Sequence, residues 1–204
     1  MLNPEANRRR GLLAMSGTLL WVVTGLLVDF TGGGGTRAEA ILRTVLLNPA
    51  LLLLMAGLVG FHKRQAKRSG RLGAAGSAIC LLGSGIMLLG NIAEIWVYKY
   101  LYGILEARWT LGWWAMGIGL AILPAGFLLL GIATFRAEVF TGWRRAVPFG
   151  FGLLLTLIGL AVAMTGIGSG LVVFYGFAIG WAAFGYALWS EKTEGGEDSA
   201  SKPG

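Results

Sequence analysis

The feature that most constrains this chain is the length of its charge-free stretches. Residues 11–28 and 44–61 are 18 residues each without Asp, Glu, Lys or Arg, 72–93 is 22, 109–135 is 27 and 146–189 is 44. A membrane-spanning helix needs roughly 20 apolar residues. Each of the first four runs therefore fits one span, and the fifth is about right for two. Its middle reads Thr165-Gly-Ile-Gly-Ser-Gly170, a glycine-rich break suited to a tight turn.

Composition agrees. Only 13% of the 204 residues are charged, against about 25% in a soluble domain, and the mean hydropathy is +0.69. The 34 glycines suit membrane helices, where small residues let backbones approach. The sequence predicts an all-α polytopic bundle of six transmembrane helices, near 11–30, 41–61, 72–95, 109–135, 146–165 and 170–189. A cytoplasmic segment, 1–10, precedes it and a solvated polar tail, 190–204, follows.

Orientation follows from the basic residues, which stay on the cytoplasmic side. With the N-terminus inside, the inner segments hold 13 Lys and Arg and the outer segments four, namely Arg37, Arg43, Lys99 and Arg108. Both ends are thus expected in the cytoplasm, and the chain in the cell inner membrane. This split accounts for the net charge of +7 without a nucleic-acid partner; the bilayer is the partner implied. Arg8, Arg9 and Arg10 before an apolar run, with Ala38-Glu-Ala40 beyond it, imitate a secretion signal. The 18-residue run exceeds the usual 7–15 of a signal's apolar region, so the first helix is expected to be retained.

The even-numbered helices end alike. Gly57 precedes Phe61 by four residues, Gly131 precedes Phe135 and Gly185 precedes Trp189, each followed by polar and basic groups. This suggests three copies of one helical hairpin, although aromatic belts and inner cations are common at membrane helix ends. Gly176-Phe-Ala-Ile-Gly180 is a GxxxG motif, with looser pairs at Gly73/Ser77, Gly76/Cys80 and Gly117/Ala121. Such pairs let helices pack closely, by default within the chain. A homo-oligomer through Gly176 and Gly180 is the sharper reading. Pro49 and Pro124 each remove a backbone hydrogen bond and are expected to kink their helices.

Most membrane chemistry lacks its residues here. A bis-histidine haem needs two histidines, and the chain has only His62. No span carries the converging His, Cys, Asp or Glu of a metal site, nor a lysine for a Schiff base. No phosphate-binding Gly-x-x-x-x-Gly-Lys loop and no Gly-x-Ser-x-Gly elbow occurs. The lone Cys80 reads as a small apolar group. No catalytic residue, metal or cofactor is assigned, and a lipid-directed enzyme built on His62 and Glu138 has the least support.

What remains is a polar rim in the outer leaflet: Asp29, Arg43, Asn48, Asn91 and Glu94. Asn91 and Glu94 are three apart and share a helix face. Ionisable groups at that depth are costly to leave unpaired. Arg43 with Asp29 or Glu94 is the obvious ion pair; a pocket for a small ligand is the functional alternative. Trp96, Tyr98, Tyr100, Tyr102, Trp109, Trp113 and Trp114 surround the rim as an interfacial belt.

Two stretches carry a resemblance. Gly-Phe-Leu-Leu-Leu-Gly-Ile-Ala-Thr-Phe-Arg-Ala-Glu-Val-Phe-Thr-Gly-Trp (126–143) and Gly90-Asn91-Ile-Ala-Glu94-Ile-Trp96 resemble segments of uncharacterised bacterial multipass proteins. Thr141-Gly142 stands where a proline-containing turn is expected in those proteins. The resemblance implies the six-helix topology and a bacterial inner membrane, and no activity. The chain is thus expected to be non-enzymatic, an accessory or scaffold with unknown protein partners; the alternative is a small transporter or ligand-binding sensor built on the polar rim.

Overall fold

The computed structural model describes residues 4–30, 42–94, 111–165 and 170–190. Six helices there are long and apolar enough to cross a membrane. They are α1 (Pro4–Phe30), α2 (Asn48–Gln65), α3 (Gly70–Ile92), α4 (Leu111–Ala137), α5 (Val147–Thr165) and α6 (Gly170–Trp189), with a π-helical turn, Arg43–Leu47, leading into α2. The 44-residue apolar run does divide, since α5 ends at Thr165 and α6 begins at Gly170.

Large apolar side chains point outward, among them Leu19, Leu82, Leu89, Ile179 and Met164, each more than half exposed. Water would not tolerate that much contiguous apolar surface; lipid does. The chain is a multipass membrane protein.

The helices form a ring in sequence order. Each packs on its neighbours in the chain, and α6 closes the ring against α1. A methyl group added at Gly11 would stand 2.6 Å from the Trp189 amide nitrogen, and the Trp21 indole N–H donates to the Phe174 carbonyl at 3.2 Å. α1 and α6 therefore run antiparallel. The start of α1 and the end of α6 lie together, here called the termini face. The other end is the far face.

Aromatic rings fill the middle of the ring. Trp181 meets Phe127 edge-on at 5.5 Å and Phe184 at 5.5 Å, and Phe61 lies 4.6 Å from Phe184 and from Phe140. Such pairs add about 0.5–1.5 kcal/mol each beyond the area they bury. The Trp181 indole N–H is buried among them without a hydrogen-bond partner.

The tightest contact joins α3 to α4. Gly76, Gly83 and Gly90 on α3 and Gly112, Gly119 and Gly126 on α4 are each seven residues apart. A seven-residue repeat keeps one seam facing its partner across a left-handed crossing. The seam is backbone against backbone. Added methyl groups at Gly83 and Gly90 would meet the carbonyl oxygens of Gly119 at 2.8 Å and Gly112 at 2.7 Å. Of the expected small-residue pairs, Gly73/Ser77 and Gly76/Cys80 are buried. Gly117/Ala121 is exposed and packs on nothing, because the α4 seam runs through Gly112 and Gly119 and leaves Gly117 on the opposite side. The GxxxG pair is covered within the chain, Gly176 by Ile158 and Gly180 by Phe151 of α5.

The expected hairpin repeat is not matched in detail, since Phe61 is fully buried while Phe135 is 40% exposed. Pro49 lies in the first turn of α2, directly after the π-helical turn Arg43–Leu47. Between α4 and α5, Gly142 has φ +59°, a left-handed position that proline cannot adopt. This explains Thr141-Gly142 in place of a proline turn.

The termini face is closed by Arg144. Its Nη2 donates to the Ser190 carbonyl at 2.8 Å and its Nε to the Ser190 hydroxyl at 3.1 Å. A cation there complements the negative end of α6.

Candidate functional site

Polar side chains in a membrane bundle are costly unless paired, so their buried positions single out the site. At the far face, the Asn91 amide donates to the Asn48 side-chain oxygen at 2.6 Å, joining α3 to α2. Asn91 is fully buried. One turn on, Glu94 is 4% exposed and its Oε2 has no hydrogen-bond partner. The Glu94 backbone is pressed against α4 at Gly112, where an added methyl group would stand 2.7 Å from the Glu94 Cα. Only glycine at 112 lets the carboxylate reach this depth beside α4.

Both helices change pitch next to the pair. The π turn Arg43–Leu47 ends directly before Asn48, and a second π turn covers residues 93–94, just after Asn91. Single π turns inside α-helices occur frequently at functional sites. Each extra residue rotates the side chains beyond it, Asn48 among them.

Three of the five rim residues expected from sequence, Asn48, Asn91 and Glu94, thus sit at one end of one helix pair. The side chains of Asp29 and Arg43 lie outside the described residues, so the expected ion pair through Arg43 does too. So do Trp96, Tyr98, Tyr100, Tyr102, Trp109, the glycine loop at 31–35 and the tail beyond Ser190. Trp113 and Trp114 are described and largely exposed, as an interfacial belt would be.

A second set of buried polar groups lies outside the rim; the sequence marks Ser77 only as half of a small-residue pair and does not single out Ser84 or Gln65. Ser77 and Ser84 are buried at 2% and 1% exposure, and their hydroxyls have no hydrogen-bond partner. At the termini end of α2, Gln65 is fully buried and contacts the Thr134 hydroxyl at 2.8 Å. The Gln65 amide nitrogen, the Ser69 hydroxyl and His62 Nδ1 are also buried without a partner. The signal was present as spacing: Ser77, Ser84 and Asn91 are seven apart, in step with the glycines one residue before each.

Chemically the far-face cluster offers amide groups and one carboxylate in a nearly dry setting. Oxygen donors of that kind suit a cation, a proton or a small hydrogen-bonding solute. Among the described residues, no three His, Cys, Asp or Glu side chains come together. No family model, curated protein or solved structure matches this chain.

Proposed function

We propose that this chain is a non-enzymatic membrane protein that binds a small polar or cationic solute at Asn48, Asn91 and Glu94, as a small transporter or sensor. One observation carries the reading. Glu94 is 96% buried with an unpartnered carboxylate oxygen, and an intramembrane carboxylate of that kind is a costly group to keep without a use. The 13-to-4 split of basic residues supports cytoplasmic ends, which makes the far face the outer one in this reading.

A second reading, an accessory or scaffold subunit, is favoured by the filled aromatic middle of the ring, which offers no wide channel. The two readings separate by thermal unfolding of purified protein with alkali cations, ammonium and small amines. Ligand that binds only the folded state stabilises it by about 2.7 kcal/mol at 100 times its Kd. At least one of these solutes should raise Tm in the native protein and leave Glu94→Gln unmoved. No shift in the native protein, or equal shifts in both, would sink the binding reading and leave the scaffold.

A further inference from the structure

The unpartnered hydroxyls of α3 form a pattern that the far-face cluster does not explain. Ser77, Ser84 and Asn91 recur every seven residues, so they lie on one narrow stripe of the helix. Asn91 fixes where that stripe points, because its amide bonds to Asn48 of α2. Ser77 and Ser84 therefore face α2 as well.

The same bond sets the register of the α2–α3 hairpin. Seven residues along each helix bring Met55 level with Ser84, and seven more bring His62 level with Ser77. The turn at 66–69, closed by Arg68 and Ser69 amides donating to the Gln65 carbonyl at 2.9 and 2.8 Å, holds this alignment at the other end. From the far face to the termini face the seam then presents Glu94, Asn91 with Asn48, Ser84, Ser77 with His62, and finally Gln65.

The hydroxyls on this stripe behave unlike the threonines inside the helices. Thr18, Thr24 and Thr156 donate back to the carbonyl four residues earlier, at 2.7–3.0 Å. Ser77 and Ser84 have the same option and do not take it. α2 also meets α3 far less closely than α4 does, and no glycine of α2 packs against α3. Buried polar groups are almost always satisfied, and ordered water is the usual partner where protein supplies none.

We propose that the α2–α3 seam holds a file of water running from Glu94 past Ser84 and Ser77 to His62 and Gln65, and that it passes protons between the termini face and Glu94. Successive levels on α3 are about 10.5 Å apart, a gap that about three waters bridge at O···O spacings of about 2.8 Å. A proton enters the file at one end and another leaves at the other, so no bond is made or broken beyond the hydrogen bonds of the file. The inference is independent of which solute the far-face cluster binds.

Two measurements on the full chain in vesicles test it. In water-edited solid-state NMR, polarisation from water should reach Ser77 and Ser84 several-fold faster than Leu82, which faces lipid on the same helix. Build-up at the two serines as slow as at Leu82 overturns the proposal. In vesicles with a trapped pH dye and an imposed potential, the native chain should leak protons faster than protein-free vesicles. Ser84→Val, whose extra methyl groups and lost hydroxyl interrupt the file, should abolish the excess. Ser84→Thr, which keeps the hydroxyl, should retain most of it. No excess leak, or a leak unchanged in Ser84→Val, overturns conduction. Ser77→Ala gives a readout independent of flux: a dry seam would be stabilised by losing an unpartnered hydroxyl, so a raised Tm counts against the proposal and an unchanged or lowered Tm supports it.

Discussion

The glycine seam between α3 and α4 permits a sharp test, because two glycines on one helix differ only in what faces them. A methyl group at Gly119 would stand 2.5 Å from the Gly83 carbonyl oxygen and 2.8 Å from the Met87 amide nitrogen. At Gly117, two residues away, it would meet nothing within 4 Å. A carbon normally approaches a carbonyl oxygen to about 3.3–3.6 Å, so Gly119→Ala must separate the helices by about 0.8 Å. Both contacts are backbone and cannot swing aside. Overpacking of this kind costs about 1–3 kcal/mol. Replacing glycine by alanine inside a helix returns about 1 kcal/mol, and that gain is common to both sites. Gly117→Ala should therefore be neutral or stabilising by up to about 1 kcal/mol. Gly119→Ala should fall about 1–3 kcal/mol below it, or roughly 2–12 °C in Tm at about 2–4 °C per kcal/mol. Cys80 supplies the assay. It is the only cysteine in the chain, it is fully buried, and its Sγ abuts Gly126 in this seam. A thiol-reactive fluorophore thus lights up when α3 and α4 part. Equal melting temperatures for the two variants would refute the claim that the seam is held at backbone contact.

Three further outcomes follow from other contacts. Asn48→Leu should leave the Asn91 amide short of a buried partner and destabilise by about 1–3 kcal/mol; adding Asn91→Leu should recover part of that, measured as a double-mutant cycle whose coupling in membranes averages about 0.6 kcal/mol. Trp181→Phe removes an indole N–H that makes no hydrogen bond, so the loss should stay below about 1.5 kcal/mol and the deep-blue part of the tryptophan emission should vanish. Arg144→Ala frees the Ser190 carbonyl and should cost no more than about 1 kcal/mol, seen as faster amide exchange confined to the last turn of α6.

Much of this architecture is legible in the sequence because a bilayer demands it. A run such as 109–135 has to cross as a helix, since lipid offers no partner for its backbone groups. Helix ends are less legible. α1 begins at Pro4, well before its apolar run, because basic residues such as Arg8 and Arg9 are tolerated in a helix that has left the hydrocarbon. Pairing of Asn91 with Asn48 depends on the hairpin register, which no local pattern sets. The α3–α4 seam is not legible from small residues four apart, because its glycines are seven apart. The unpartnered hydroxyls of Ser77 and Ser84 are illegible for a related reason. A lone serine in a span normally bonds its own helix, and only their geometry shows that these two do not.

The order of helices around the ring has a consequence for assembly. Five of its six contacts join helices adjacent in sequence, so each forms as soon as the second member of its pair enters the membrane. The sixth, α1 with α6, joins residues such as Trp21 and Phe174, 153 positions apart. That contact closes the longest loop of the fold, and its entropic cost is the largest of the six, since cost rises with the logarithm of loop length. Until α6 arrives, the α1 face that carries Gly11 and Trp21 meets lipid instead of protein. A ribosome stalled before Phe174 would hold an open five-helix arc with that face unsheltered, and membrane quality control that recognises such a face would act on α1 first.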